Sequence, residues 1–228
     1  MEKYGNKTIN VSIDGARITI RYSPKVYVQR GKSKGSKAQP VSDEAYEACL
    51  AKVIPGFQLW AGDYRLRDLG DVTVDVVVRP TRVLTARKAN LIITVDRERP
   101  SMVPIAFLSI LWSPKIKPRV RLNVGGFYGL DDHTATLAAH EFGHVLGLFD
   151  AYGYREHWVR FGLGRVADRL LPAARGERTE SSGVMRCAWG QSPVISAREI
   201  EMMLRAFRTG RVQFYENCVL GRASRVFL

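Results

Sequence analysis

Hydrophobic and polar positions alternate with two different periods along this chain, and the switches between them outline its elements. Ile9 to Ile13 and Ala16 to Ile20 flank Asp14-Gly15, a two-residue signal for a type I′ hairpin. Ser42 is placed to cap a helix that runs to about Val53, with Pro55 expected beyond its end. Val72, Val74, Val76 and Val78 alternate with Thr73 and Asp75, and Leu91 to Val95 forms a short apolar run, so both segments predict strands. Val120, Leu122 and Val124 alternate with Arg119, Arg121 and Asn123, the pattern of an edge strand with one buried face and one polar face. Ala138, Phe142, Val145 and Phe149 then recur at helical spacing, with Asp131 or Asp132 available as N-cap. Residues 151 to 184 lack a clear period, apart from one short helix expected near Arg165 to Leu171. Ser196 and Glu199 form a capping box ahead of Ile200, Met203, Leu204 and Phe207, and Gly210 is placed to end that helix.

The central helical segment carries the chemistry. His140 and His144 lie one turn apart on one helix face, opposite the apolar stripe, so two imidazoles can reach one metal while Glu141 projects beside them. Gly147 can adopt φ > 0 and turn the chain so that Asp150 returns as a third ligand, leaving one coordination position open for water. HExxH alone arises by chance in about one per cent of chains this long, and fixed Gly and Asp offsets remove about two more orders of magnitude. Other residues able to complete a metal shell are His133, His157, and the distant glutamates Glu177, Glu180 and Glu199.

The pattern HExxHxxGxxD from His140 to Asp150 resembles the metzincin clan of zinc peptidases, in the variant where aspartate replaces a third histidine, as in the snapalysin-like peptidases. Ser182-Gly-Val-Met185 is similar to the methionine turn of that clan, whose side chain floors the metal site. The resemblance implies an α+β fold: a twisted, mostly parallel sheet with an antiparallel edge strand, a central zinc helix, then a small C-terminal subdomain with the methionine turn and a helix. It implies one catalytic domain over residues 1 to 228, with subdomains meeting near residue 148. It further implies one catalytic Zn2+ held by His140, His144 and Asp150, Glu141 as general base and acid, and Gly147 and Met185 as supports. The expected reaction is hydrolysis of a protein or peptide lying extended along the edge strand at Arg121, Leu122 and Asn123, with Gly125 and Gly126 at its end allowing close approach. Where the astacin-like and serralysin-like branches place a switching tyrosine, Cys187 stands. Oxyanion stabilisation is therefore expected from zinc with Tyr152 or Tyr154, and Cys187 is open to an inert, a disulfide-bonded or a zinc-bound reading. A thermolysin-like arrangement with a distant glutamate ligand is the nearest alternative.

Length and composition fit a chain able to bury a sizeable core, with 228 residues and 46% hydrophobic content. Three scattered cysteines, Cys49, Cys187 and Cys218, do not make a disulfide framework. The formal charge of +13 raises a second class of function, a basic nucleic-acid binder with a structural metal site. The run Arg30 to Lys37 reads as a solvated basic loop, and it lacks the glycine a phosphate loop needs where Val26 stands. Arginines among the aromatics of residues 151 to 178 favour acidic substrates. The most apolar stretch, Met102 to Trp112, is too short and too interrupted for a membrane span. The first residues lack the apolar core of a signal peptide, so the expected location is the cytoplasm, or outside by a route without such a leader.

Overall fold

The computed structural model describes residues 1–30, 39–95, 120–124, 131–149, 184–186, 194–213 and 215. In chain order these form β1 (Glu2–Gly5), β2 (Ile9–Asp14), β3 (Arg17–Tyr22), β4 (Lys25–Arg30), α1 (Asp43–Gln58), β5 (Gly62–Leu66), β6 (Gly70–Val78), β7 (Thr81–Arg82), β8 (Leu91–Val95), β9 (Val120–Val124), α2 (Asp131–Val145), a single 3-10 turn (Val184–Arg186) and α3 (Ala197–Thr209). The architecture is α+β, with three helices among the described residues and strands in the orders β1-β2-β3-β6-β5 and β7-β4-β8-β9.

The two sheets are joined by one long, bent pair of parallel strands. Tyr22 pairs with Val78 at the end of β3 and β6, and Lys25 pairs with Thr81 at the start of β4 and β7, so the same register continues across the bend. Pro24 and Pro80 stand side by side there. Neither ring nitrogen can donate to a ladder, which is why proline sits where regular pairing gives way. The backbone bonds around it, from Arg79 N to Tyr22 O and from Thr81 N to Pro24 O, are both 2.8 Å. On the other flank the long strand changes neighbour from β2 to β8, and Asn90 fills the corner. Its Oδ1 accepts from Lys25 N at 2.7 Å and its Nδ2 donates to Thr8 Oγ1 at 3.1 Å.

Several expectations change here. Instead of one mostly parallel sheet with an antiparallel edge strand, the described residues form two: in the five-stranded sheet β1, β2 and β3 pair antiparallel, as do β5 and β6, while β3 runs parallel to β6, and in the four-stranded sheet every described pair is parallel, β9 lying beside β8 from Leu91↔Val120 to Val95↔Val124. The two-residue hairpin loop is Gly15-Ala16, closed by Asp14↔Arg17, and it puts Gly15 (φ +57°) first, where the primed two-residue turns require a positive φ. Helix α1 starts as expected from the Ser42 cap, then runs through Pro55 to Gln58. Tertiary packing outweighs the local cost of the proline. A Cβ on Gly56 would collide with the Ala135 carbonyl and the Ala138 methyl of α2, so glycine lets α1 approach that helix closely, and Phe57 and Trp60 are buried. Asp131 opens α2 rather than preceding it. Helix α3 forms as its pattern predicts, with the capping box of Ser196 and Glu199 and with Gly210 at φ +68°. The short helix expected near Arg165 to Leu171, the Arg30–Lys37 run beyond its first residue and Met102 to Trp112 lie outside the described residues. Among those described, no helix is long and apolar enough to cross a membrane.

One contiguous core joins both sheets to all three helices and to the Val184–Met185 turn. Its centre is aromatic: Phe142 of α2 lies 5.0 Å from Phe57, 5.1 Å from Tyr22 and 6.4 Å from Trp60, ring centre to ring centre. Such pairs contribute about 0.5–1.5 kcal/mol each beyond the area they bury. Trp60 also donates Nε1–H to the Ala139 carbonyl at 3.0 Å, so its one polar atom is satisfied within the core. Tyr22 differs. Its hydroxyl is fully buried with no hydrogen-bond partner among the described residues, and burial pushes its pKa well above the usual tyrosine value. A buried polar group without a partner costs about 1–3 kcal/mol. Tyr22→Phe is therefore expected to raise stability by about 1 kcal/mol in urea unfolding. A loss of that size instead would show that the hydroxyl is satisfied in solution.

Candidate functional site

Helix α2 is held by its apolar face and offers the opposite face for chemistry. Phe142 lies half a turn around the helix from the midpoint of His140 and His144, so the aromatic cluster that anchors Phe142 fixes which way the imidazoles face. The rings of His140 and His144 are 4.9 Å apart, centre to centre, and nearly perpendicular at 84°. Glu141 lies between them in sequence, and all three side chains are buried.

Each histidine is locked through Nδ1. His140 Nδ1 lies 2.9 Å from the Val184 carbonyl oxygen, and His144 Nδ1 lies 2.9 Å from the Leu148 carbonyl oxygen. A carbonyl only accepts, so each Nδ1 carries the proton and donates it. In the neutral imidazole the lone pair then resides on Nε2, the form a metal-ligating histidine needs.

The sequence after α2 explains the second lock. Gly147 has φ +89°, Gly147 N bonds to His144 O at 3.1 Å, and Leu148 N bonds to Gly143 O at 3.0 Å. This is a Schellman ending, which needs a left-handed residue and therefore glycine. By reversing the chain it returns the Leu148 carbonyl to the imidazole one turn back. The reversed strand is pinned by residue 213: Gln213 N bonds to Gly147 O at 2.7 Å and Phe149 N to Gln213 O at 2.9 Å.

The first lock comes from far along the chain. Val184 and Met185 sit beneath α2 with essentially no exposure, and Met185 packs where a Cβ on Gly143 would be. That imaginary Cβ would strike Met185 Sδ and come within 3.0 Å of Trp60 Cζ2. Glycine between the two histidines thus creates the socket that seats the methionine. The turn is held from below by Glu199 of α3. Its Oε1 accepts from Met185 N at 3.4 Å and from the Tyr215 hydroxyl at 3.1 Å, while Oε2 accepts from Ser196 N at 2.8 Å and Ser196 Oγ at 3.1 Å. Burial raises the Glu199 pKa, and these four donors pull it back. Because the folded state holds this proton more tightly than the unfolded chain, the carboxyl favours folding below the ordinary glutamate range. That contribution is lost as pH rises through the raised value.

The structure thus brings together His140, Glu141, His144, Gly147 and Met185 around one end of α2. Val120–Val124, with Arg121, Leu122 and Asn123, forms β9 at the end of the described sheet order, and β9 packs against α2. Arg121 is exposed and Leu122 buried, as alternation predicts. Asp150, Tyr152, Tyr154, His157, Glu177, Glu180 and Cys187 lie outside the described residues, as does the side chain of His133. Among the described residues no group of three or more His, Cys, Asp or Glu gathers at one point. Glu199, considered from sequence as a distant ligand, has both oxygens committed to the cap and the turn. The residues that sequence reading missed are Gly143, Trp60 and Tyr215, together with the carbonyls of Val184 and Leu148. Gly143 had a signal in its place between the histidines, but backbone carbonyls have none.

No protein-family model matches this sequence, and no curated protein matches it significantly. Among solved structures, that of myroilysin is similar at 12% identity and a TM-score of 0.40, over 90% of this chain and 98% of that one. A likeness that loose carries no argument about what this chain does.

The Gly143–Met185 contact yields a direct test. Gly143→Ala is expected to cost about 1–3 kcal/mol in denaturant unfolding, the usual range for overpacking. Adding Met185→Ala opens the space the new methyl needs, so the double variant should lose clearly less than the two single losses combined. Strict additivity would show that the two residues do not share this space.

Proposed function

We propose that this chain is a zinc-dependent endopeptidase in which His140, His144 and Asp150 hold the metal and Glu141 moves the proton. The observation that carries the reading is the pair of Nδ1–carbonyl locks, which places two ligand-competent Nε2 atoms on one buried helix face. Asp150 enters through sequence spacing, at the exit of a reversal whose Gly147 conformation is the one such a return needs. The resemblance of HExxHxxGxxD and of the Met185 turn to metzincins supports the same assignment.

Bound there, zinc would supply Lewis acidity, which acidifies water and polarises a carbonyl. Glu141 takes the proton from the attacking water and delivers it to the amine nitrogen as the peptide bond breaks. Its burial beside the histidines keeps that proton in a low-dielectric space where transfer is directed rather than lost to solvent. Met185 and Trp60 exclude water beneath the ligands. An extended peptide would add to the edge of β9, its main chain bonding beside Arg121, Leu122 and Asn123 while alternate side chains point away. Donors for the developing oxyanion would come from the segment after Asp150, with Tyr152 and Tyr154 the first to mutate. The net charge of +13 favours acidic protein or peptide substrates. It also underlies the competing reading as a nucleic-acid binder, which gives no account of a glutamate buried beside two oriented histidines.

Glu141→Gln is expected to bind one Zn2+ per chain with wild-type affinity while peptide turnover falls by at least about 100-fold, the lower range for general acid–base catalysis. Equilibrium dialysis and cleavage of a mixed peptide library read the two quantities separately. Retained turnover with zinc bound would place the base elsewhere, and absence of zinc binding in wild type would remove the metal reading.

A further inference from the structure

The Glu199 carboxylate does more than a capping box requires. Capping uses one oxygen to accept the N-cap backbone N–H, and Oε2 meets that need at Ser196. A capping glutamate can do this at the surface, yet Glu199 is only 1% exposed and turns Oε1 inward to Met185 N and the Tyr215 hydroxyl. Burying a carboxylate is costly unless its bonds are needed. The neighbouring link shows what those bonds hold, since Val184, whose carbonyl orients His140, is joined directly to Met185. The path is continuous: Glu199 Oε1 to Met185 N at 3.4 Å, one peptide unit, then Val184 O to His140 Nδ1 at 2.9 Å.

We propose that Glu199 is a positioning residue for His140, fixing the peptide between Val184 and Met185 so that the Val184 carbonyl keeps His140 protonated at Nδ1 and its Nε2 aimed at the metal. This rests on the reading of His140 as a zinc ligand. Removing the carboxylate would loosen the turn and let the imidazole rotate or change tautomer, without touching the metal shell itself.

Zinc dissociation constants, measured on the full chain by chelator competition for wild type and four variants, test this. Glu199→Gln opposes at least one N–H with its own amide and is expected to weaken zinc binding about 10–100-fold, the range for residues that orient a metal ligand. Ser196→Ala removes the cap hydroxyl but leaves Oε1 on Met185 N, so it should lower thermal stability and keep wild-type zinc affinity. Wild-type affinity in Glu199→Gln, or an equal loss in Ser196→Ala, would overturn the proposal and reduce Glu199 to a helix cap. Should Glu199→Gln fail to fold, Glu199→Asp decides: it keeps the charge near Ser196 but falls a methylene short of Met185, and wild-type affinity there would equally overturn the proposal. His140→Ala separates the two levels of argument. Zinc binding lost in His140→Ala but unchanged in both Glu199 variants sinks only the role of Glu199, whereas wild type binding zinc no better than His140→Ala sinks the metal reading with it.

Discussion

Two hydrogen bonds from imidazole Nδ1 to backbone carbonyls are the constraint on which the candidate site depends. A histidine on a helix can rotate about two side-chain bonds and exchange its proton between two nitrogens, so spacing alone does not make a ligand pair. The Leu148 and Val184 carbonyls remove both freedoms at once. One lock is local and made by a glycine-terminated helix end. The other is imported from a turn far along the chain, so the site exists only when the C-terminal segment has docked beneath α2.

Much of the fold can be seen as what that docking needs. Gly56 lets α1 press against α2 at Ala135 and Ala138, and Gly143 opens the socket for Met185 on the same helix. Phe142 between them is gripped by Tyr22, Phe57 and Trp60, drawn from β3, from α1 and from just beyond its end. The helix is therefore clamped on its apolar side by aromatic bulk and approached closely where it has no side chain. Its rotation about its own axis, which decides where the histidines face, is set by residues that carry no chemistry.

The parts of the fold governed by local physics are legible in the sequence. The α3 helix, from the Ser196–Glu199 capping box to Gly210, follows directly from side chains that act within a few residues of themselves. The α2 helix and the strands at Val72–Val78, Leu91–Val95 and Val120–Val124 follow from periodicity. The parts that are not legible there are governed by distant partners. Helix α1 passes Pro55 because Phe57 and Trp60 gain more from burial than the proline costs. The direction of β9 depends on which strand it meets, and alternation is the same for parallel and antiparallel neighbours. At the site, the residue types able to bind metal were legible. The atoms that orient them were not, since a backbone carbonyl looks alike at every position. Glu199 shows the mixed case, because its capping role was visible and its hold on Met185 was not.

The protonation of the two imidazoles decides whether the fold presents paired metal-binding nitrogens. Two-bond nitrogen–proton correlation NMR on metal-free protein labelled with 15N at histidine, recorded above the pH at which imidazole is charged, distinguishes the tautomers directly. Both His140 and His144 should appear as Nδ1–H tautomers in slow exchange, and added Zn2+ should move their Nε2 resonances first. An Nε2–H tautomer at either residue, or fast averaging between the two forms, would contradict the claim that the fold presents a ready-made pair of metal-binding nitrogens.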